Sequence, residues 1–553
     1  MSPTFPLLQD DDCYLALKAR DARFDGRFFT GVLSTGIYCR PVCGVRTPRR
    51  ENCRFFAHAA QAECAGFRPC LRCRPELAPQ SVAWSIQDAS FILAHQAARL
   101  LDEPDSWTGV PPVSMLSAAD ASPPEPANSQ AVQAQAGGPR AAPFSPERAG
   151  LARGGPAPRP LSVEKLAARL GVSERHVRRI FEAQFGVTPM QYLQTRRLLT
   201  AKQLLADTRL PVTEIAFLSG FASVRRFNAA FAQHYRLNPT QLRRQGDLPA
   251  DGCITVRLGY RPPYDVAAML DFLGTRSIPA IESIATSAAQ PCAKRTFFIE
   301  SGGKMHAGWL LARFDRARCQ LVLQVSDLLL GALPLVIRRV RAWLDLDADP
   351  AAIDAVLHAS FPGADGLRVP GALDGHELAV RAVLGQQVTL AAARTLAQRL
   401  VERFGAPVQT PWPGLHRLFP APAVLAAAGG DALGGLGIVR QRQAAIVALA
   451  QAVVDGRLQL HAGADVQVTL AQLKALPGIG DWTAQYIAMR ALRWPDAFPG
   501  GDVALHKMLG VQLSRAAAKE AEKASLAWKP WRSYAVIRVW SGLLAPAPTP
   551  AAS

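Results

Sequence analysis

The sequence has no cysteine after Cys319, and seven of its ten cysteines fall at or before Cys73. A four-cysteine iron–sulfur cluster is therefore excluded from the C-terminal part of the chain. No run of eighteen residues is free of polar interruption. The most apolar stretch, Cys319 to Ile337, contains Gln320, Gln324 and Asp327, so no membrane span is expected. The first twelve residues lack a basic start followed by an apolar core, which argues against a signal peptide. A cytoplasmic, nucleoid-associated setting is expected. In such a reducing compartment cysteines are metal ligands or reactive thiols more often than disulfides. Acidic residues are also scarce: 44 Asp and Glu face 62 Lys and Arg, a net charge of +18. That balance favours a polyanion as partner.

With 553 residues the chain is too long for one core. Its composition separates blocks. Residues 1–80 are rich in cysteine and arginine. Residues 81–102 place Ile86, Ala89, Leu93, Ala97, Leu100 and Leu101 at helical steps. Residues 103–160 are rich in Pro, Ala, Gly and Ser and read as a flexible linker. Residues 161–245 return to helical periodicity. Residues 251–335 mix strands such as "CITVRLGY" and "CQLVLQV" with a helix, and 336–545 read as amphipathic helices.

The early cysteines are spaced Cys39-x3-Cys43, then 26 residues, then Cys70-x2-Cys73. Two short-spaced pairs suit a tetrahedral four-cysteine zinc site, which also lends folding energy to a small domain. Cys13, Cys53 and Cys64 lack paired spacing and are read as buried or incidental. The surrounding text, "STGIYCRPVCGVRTPRRENCRFF" and "AGFRPCLRCRP", resembles the N-terminal domain of the Ada family of alkylation-response regulators. The resemblance implies that Cys39 is a zinc-held nucleophile. It would accept a methyl group, once only, from a DNA methylphosphotriester. Arg40, Arg46, Arg68 and Arg72 are candidates for phosphate contacts.

Residues 161–245 hold fourteen Lys or Arg against five Asp or Glu, an excess of nine that is half of the chain's total. Such concentration suits a DNA-contacting module. "SVEKLAARLGVSERHVRRIF" reads as a helix, a Gly171 turn and a second helix capped by Ser173. "PVTEIAFLSGFASVRRFNAAF" repeats the design around Gly220 and Ser223. The second helices offer Glu174, Arg175 and Arg178, then Val224, Arg225, Arg226 and Asn228, to a DNA groove. The block resembles the AraC-type DNA-binding domain, which follows the zinc domain in Ada-type regulators. That implies promoter binding and recruitment of RNA polymerase.

Further on, "LKALPGIGDWTAQYIAMRALRWPDAFPGGDVALHKML" carries a glycine hairpin, Leu476 to Gly480. Gly478 and Gly480 let the backbone turn and expose N–H groups to a phosphate. A Gly/Pro-rich loop then ends in Asp502 at a helix start. Asp is a common helix cap, and hairpins of this kind also bind DNA without catalysis. Loop and hairpin together resemble the helix-hairpin-helix glycosylase superfamily. From about residue 254 to 545 the chain resembles the AlkA-type 3-methyladenine glycosylases, with landmarks "YRPPYDVAAMLDFL", "AVRAVLGQQVTLAAA" and "WKPWRSYAVIRVW".

This resemblance implies that Asp502 stabilises a sugar cation as the base departs. It places Trp482, Tyr486 and Trp540 around a flipped base. The family can wedge an apolar side chain from the segment matched by "LGQQV" into the gap that the base leaves; here the sequence departs from that pattern, and the candidate positions are Gln386 and Gln387. Lyase-type relatives carry a lysine two residues after the last hairpin glycine. Trp482 stands there, so a monofunctional enzyme is expected. The Pro-Cys-His-Arg methyltransferase motif with which Ada proteins often end is missing; Pro291-Cys292-Ala293-Lys294 lacks the His-Arg.

The expected fold is multidomain α+β: a small zinc domain, an all-α double helix-turn-helix domain, an antiparallel α/β subdomain and an all-α helix-hairpin-helix domain. The expected function couples methylphosphotriester sensing and transcriptional activation to excision of alkylated bases from double-stranded DNA. Two alternatives stay open. One is a regulator whose glycosylase-like part binds damage without catalysis. The other is a glycosylase that prefers deaminated or etheno bases.

Overall fold

The computed structural model describes residues 9–80, 89–102, 161–243, 253–286, 291–301, 303–512, 514 and 516–544. The linker expected at 103–160 and the first part of the helix expected at 81–102 lie outside them.

The cysteine-rich block is a four-stranded sheet ordered Cys53–Phe56, Phe29–Val32, Ile37–Cys39, Arg68–Pro69. Ile37–Cys39 runs antiparallel to Phe29–Val32 and parallel to Arg68–Pro69, with Ile37 opposite Arg68. This pairing carries Cys39 and Cys70 off adjacent strand ends. Gly31 is required at the sheet centre, since a Cβ there would meet the rings of Phe56 and Phe67 at 2.9 Å. Those rings pack over Phe29, Tyr38 and Ala62.

The second block contains two helix pairs, Val163–Leu170 with Glu174–Phe185 and Val212–Leu218 with Val224–Tyr235. They are joined by the long helix Pro189–Asp207. The turns form where the sequence places them. Gly171 and Gly220 have φ of +69° and +82°, a region open to glycine at little steric cost. Ser173 and Ser223 accept hydrogen bonds from the N–H groups of His176 and Arg226, closing the helix starts. Each pair buries a different surface. The first shares a core with helix Ala89–Asp102, through Ala94, Ala97 and Leu101 against Leu166, Val177 and Phe181. The second is continuous with the core of the following sheet, from Phe227 and Phe231 to Val256 and Leu323.

That sheet is five-stranded and antiparallel, ordered Ile254–Gly259, Gln320–Val325, Lys304–Asp315, Cys292–Ser301, Glu282–Ala285. The helices that follow surround Gly375–Leu384, in which every residue but Arg381 is buried. Among the described residues no helix is long and apolar enough to cross a membrane.

Polar clasps join the zinc domain to both neighbours. Arg261 is fully buried and donates to five main-chain carbonyls: those of Asp25, Pro79, Gln80, Asp347 and Ala348. Burial pulls its guanidinium down only to about 10, so it remains charged at neutral pH. Arg27 grips Asp349 with two bonds of 2.7 and 2.6 Å. On the other side Lys202 donates to the Cys70 carbonyl at 3.0 Å and to Glu76. Buried Glu63 accepts from Tyr38 and Thr195 and pairs with His234, so one carboxylate ties the zinc domain to the joining helix and to the second helix-turn-helix unit.

Candidate functional sites

The four cysteines expected to hold zinc converge. The sulfurs of Cys39, Cys43, Cys70 and Cys73 all lie within 4.8 Å of one another. Cys39 closes its strand, Cys43 follows in a turn bonded to the Arg40 carbonyl, and the Cys70 N–H bonds to the Tyr38 carbonyl. Without a cation the set cannot ionise together. Hydrogen bonds from Cys43, Cys70 and Cys73 push Cys39 far up, while those from Cys39 and Cys43 pull Cys70 down. Four soft donors in this arrangement fit one tetrahedral zinc ion. Cys39 lines a small cavity together with Thr30, Val45 and Pro48. Cys13 and Cys53 are buried elsewhere and Cys64 is exposed.

One expectation changes. Arg40 is 5% exposed and spends its guanidinium on Asp25 and the Cys73 carbonyl. It braces the thiol cluster rather than facing a phosphate. Arg46 and Arg72 are exposed, and Arg68 is half-buried. In the helix-turn-helix block Arg175, Arg178, Arg225, Arg226 and Asn228 are all exposed on the second helix of their pair. Arg178 is tied to Glu174 at 3.1 Å.

At the C-terminal end a cavity of about 370 Å³ is lined by Trp482, Tyr486, Asp502 and Trp540. Asp502 caps helix Val503–Leu509 and is half-buried at the cavity wall, so capping and exposure to the cavity coexist. Its Oδ1 accepts from the N–H groups of Ala504 and Leu505 at 3.0 and 3.1 Å, and from Trp540 Nε1 at 3.3 Å. Its Oδ2 accepts from Trp482 Nε1 at 3.0 Å. Four donors hold one carboxylate. The loop before it is fixed by buried His506, whose Nε2 bonds the Gly500 carbonyl at 2.6 Å.

Tyr486 stacks on Trp482 with centroids 5.2 Å apart and planes 10° apart, and faces Trp540 at 6.1 Å and 40°. Burial works against the Tyr486 phenolate, but Arg490 and Arg276 outweigh it and hold the phenol below its ordinary value. On the lining of the same cavity, Glu282 and Glu377 each bond to both Arg295 and Arg381. Sequence reasoning missed this square of charges and the cation pair at Tyr486. A signal existed: Glu377 and Arg381 form an i,i+4 ion pair within a helix whose other residues, His376 apart, are apolar or glycine.

The hairpin lies beside the cavity. Gly478 has φ +73°, and exposed Gly480 starts helix Asp481–Arg490 with open space where a Cβ would stand. Gln386 and Gln387 differ sharply. Gln386 is half-buried and bonds to Gly478 and Thr483, whereas Gln387 is exposed with φ +51°.

Four family profiles match the chain: "Metal binding domain of Ada" at residues 12–76, "Helix-turn-helix domain" at 166–245, "AlkA N-terminal domain" at 255–374, and "HhH-GPD superfamily base excision DNA repair protein" at 380–533. The chain is 35% identical, over 96% of its length and 96% of the relative's, to a protein of Mycobacterium tuberculosis named probable bifunctional transcriptional activator/DNA repair enzyme AlkA. It is 32% identical to DNA-3-methyladenine glycosylase 2 of Escherichia coli, over 51% of this chain and 95% of that one. It is 29% identical to regulatory protein ada of Salmonella typhimurium, over 44% of this chain and 51% of that one. The chain belongs to the family of AlkA-type bifunctional transcriptional activators and DNA repair enzymes, with an Ada-type zinc-binding domain and helix-turn-helix region preceding an HhH-GPD base-excision fold.

Proposed function

We propose that the chain excises alkylated bases such as 3-methyladenine from double-stranded DNA as a monofunctional glycosylase, and that its first half senses DNA methylphosphotriesters and activates transcription. The observation that carries the first part is the Asp502 carboxylate, held by four N–H donors at the wall of an aromatic cavity. As the bond from sugar to base breaks, the base leaves with the bonding electrons and the sugar becomes cationic. A fixed negative charge beside it stabilises that state. Water then adds to the sugar carbon, releases a proton to solvent and leaves an abasic site. An alkylated purine carries positive charge, departs readily and stacks well on electron-rich rings, here Tyr486 and Trp540. Gly478 and Gly480 offer N–H groups to the backbone phosphate, and exposed Gln387 fills the gap that the base leaves. The absence of an iron–sulfur cluster belongs to the same reading, since no cysteine follows Cys319.

For the first half, Cys39 Sγ attacks the methyl carbon of a phosphotriester. An S–C bond forms, the C–O bond breaks, and the phosphodiester anion leaves. Bound zinc supplies the positive charge that keeps sulfur ionised at neutral pH. Methylation removes one negative charge from the surface that meets DNA. Arg175, Arg178, Arg225 and Arg226 then hold promoter DNA, and RNA polymerase is the partner recruited.

The test of the enzyme is release of 3-methyladenine from alkylated DNA by wild type and by Asp502→Asn. Release by wild type alone supports the reading, and no release by either sinks it. Parallel assays with hypoxanthine and ethenoadenine substrates rank the lesions. For the sensor, Cys39→Ala abolishes transfer of labelled methyl from phosphotriesters and leaves base release intact.

A further inference from the structure

Gln386 and Gln387 are chemically identical neighbours in the loop between helices Gly375–Leu384 and Leu390–Phe404, and the fold treats them differently. The Gln386 amide donates to the Gly478 carbonyl at 2.9 Å and to Thr483 Oγ1 at 3.0 Å. Its own carbonyl accepts from Arg442, on helix Arg440–Val454. One residue therefore ties its loop to the glycine hairpin, to the helix after the hairpin and to a third helix. Gln387 has φ +51°, left-handed backbone that a side chain adopts only when its surroundings enforce it. Among the described residues its side chain makes no hydrogen bond, and it is exposed.

We infer that Gln386 is a positioning residue: it locks the loop that presents Gln387 onto the hairpin, so that gripping the phosphate and filling the vacated stack are done by one rigid unit. This rests on the base-excision reading above. The chemistry requires an amide. A glutamate would lose both donors and set its charge against the Gly478 carbonyl. A methionine would fill the space and leave the carbonyl and the Thr483 hydroxyl without their partner. Thr483 is buried and sits one residue after Trp482, which donates to Asp502. The lock thus reaches the carboxylate through a single helical turn.

The lock matters only when a base must be replaced in a stacked duplex, and that sets the test. Gln386→Met, Gln387→Ala and Asp502→Asn are compared with wild type in the full chain. The first readout is base release from a lesion in a duplex and from the same strand alone. The second is the fluorescence rise of 1,N6-ethenoadenine as it leaves the stack on binding. Gln386→Met is expected to lower duplex excision by about 10- to 100-fold and single-strand excision by less than about threefold. It should depress the fluorescence rise as Gln387→Ala does, while Asp502→Asn keeps the rise. Thr483→Val should move duplex excision in the same direction by less. Equal losses on both substrates, or an undiminished fluorescence rise with Gln386→Met, would overturn the inference. A wild-type protein that unstacks the base but releases none would instead sink the base-excision reading and leave the role of Gln386 standing.

Discussion

The thiol cluster and the carboxylate pocket hold negative charge in opposite ways. Four sulfurs within 4.8 Å repel one another once ionised, by about 4 kcal/mol for a pair 4 Å apart near a protein surface. Such a cluster is charged as a whole only around a cation. Asp502 carries one charge and is satisfied by four neutral N–H dipoles, two from the main chain and two from indole rings. On the proposed function, the first arrangement would serve a site used once, because converting one thiolate to a thioether would alter the whole set. The second would serve turnover, because its dipoles would be the same before and after reaction.

The largest expected effect separates the two sites by their need for metal. Chelation removes binding energy on the order of 10 kcal/mol from the cysteine domain. It should appear in calorimetry as a lost or strongly lowered first transition, while base release persists at temperatures below the second. A melting profile indifferent to chelator would break the comparison. Next comes Asp502→Asn, which turns an amide N–H₂ toward donors and removes the charge. Single-turnover base release should fall at least about 100- to 1,000-fold, as when other transition-state stabilisers are removed. Stability should change by less than about 1 kcal/mol, because asparagine also caps helices.

These two sites were also the legible ones, and the reason is locality. Cys39-x3-Cys43 and Cys70-x2-Cys73, the Gly171–Ser173 and Gly220–Ser223 turns, and Gly478 to Gly480 are signals within a few residues, so spacing reveals them. The clasps are not local. Arg261 meets carbonyls from positions 25, 79, 80, 347 and 348, and Glu63 meets Tyr38, Thr195 and His234. No periodicity encodes such pairs. Arg40 misled for the same reason: beside Cys39 it reads as a phosphate ligand, until the fold sets Asp25 against it. Gln386 and Gln387 could not be separated by residue type, only by backbone angle and partner.

Smaller effects sharpen the comparison by asking how rigidly the two sites are joined. Arg261→Ala leaves five carbonyls to find other donors and should destabilise the junction by about 3 kcal/mol, read as a lower first melting transition. Removing single donors from the carboxylate should be graded. Trp482→Phe keeps an aromatic ring and loses the only donor to Oδ2 among the described residues, which predicts about a tenfold slower release. Trp540→Phe loses a 3.3 Å bond to an oxygen that two main-chain donors also hold, and its effect should be smaller.

The smallest effect lies at the joint between the cysteine domain and the second helix-turn-helix unit. His234 meets Glu63 at 2.7 Å, and this hydrogen bond raises the imidazole above its ordinary value despite burial. A raised folded-state value means that the folded protein holds this proton more tightly than the unfolded chain does. The stabilisation is therefore complete below the unfolded histidine value of about 6.5 and disappears as pH rises through the folded one. The melting temperature should drift down across that window by an amount equivalent to less than about 1 kcal/mol, because His234 is partly exposed. Glu63→Gln should flatten the drift while keeping most of the packing. A slope that survives the substitution would mean that another group sets the pH response, and that this joint holds by its buried hydrogen bonds from Tyr38 and Thr195 rather than by charge.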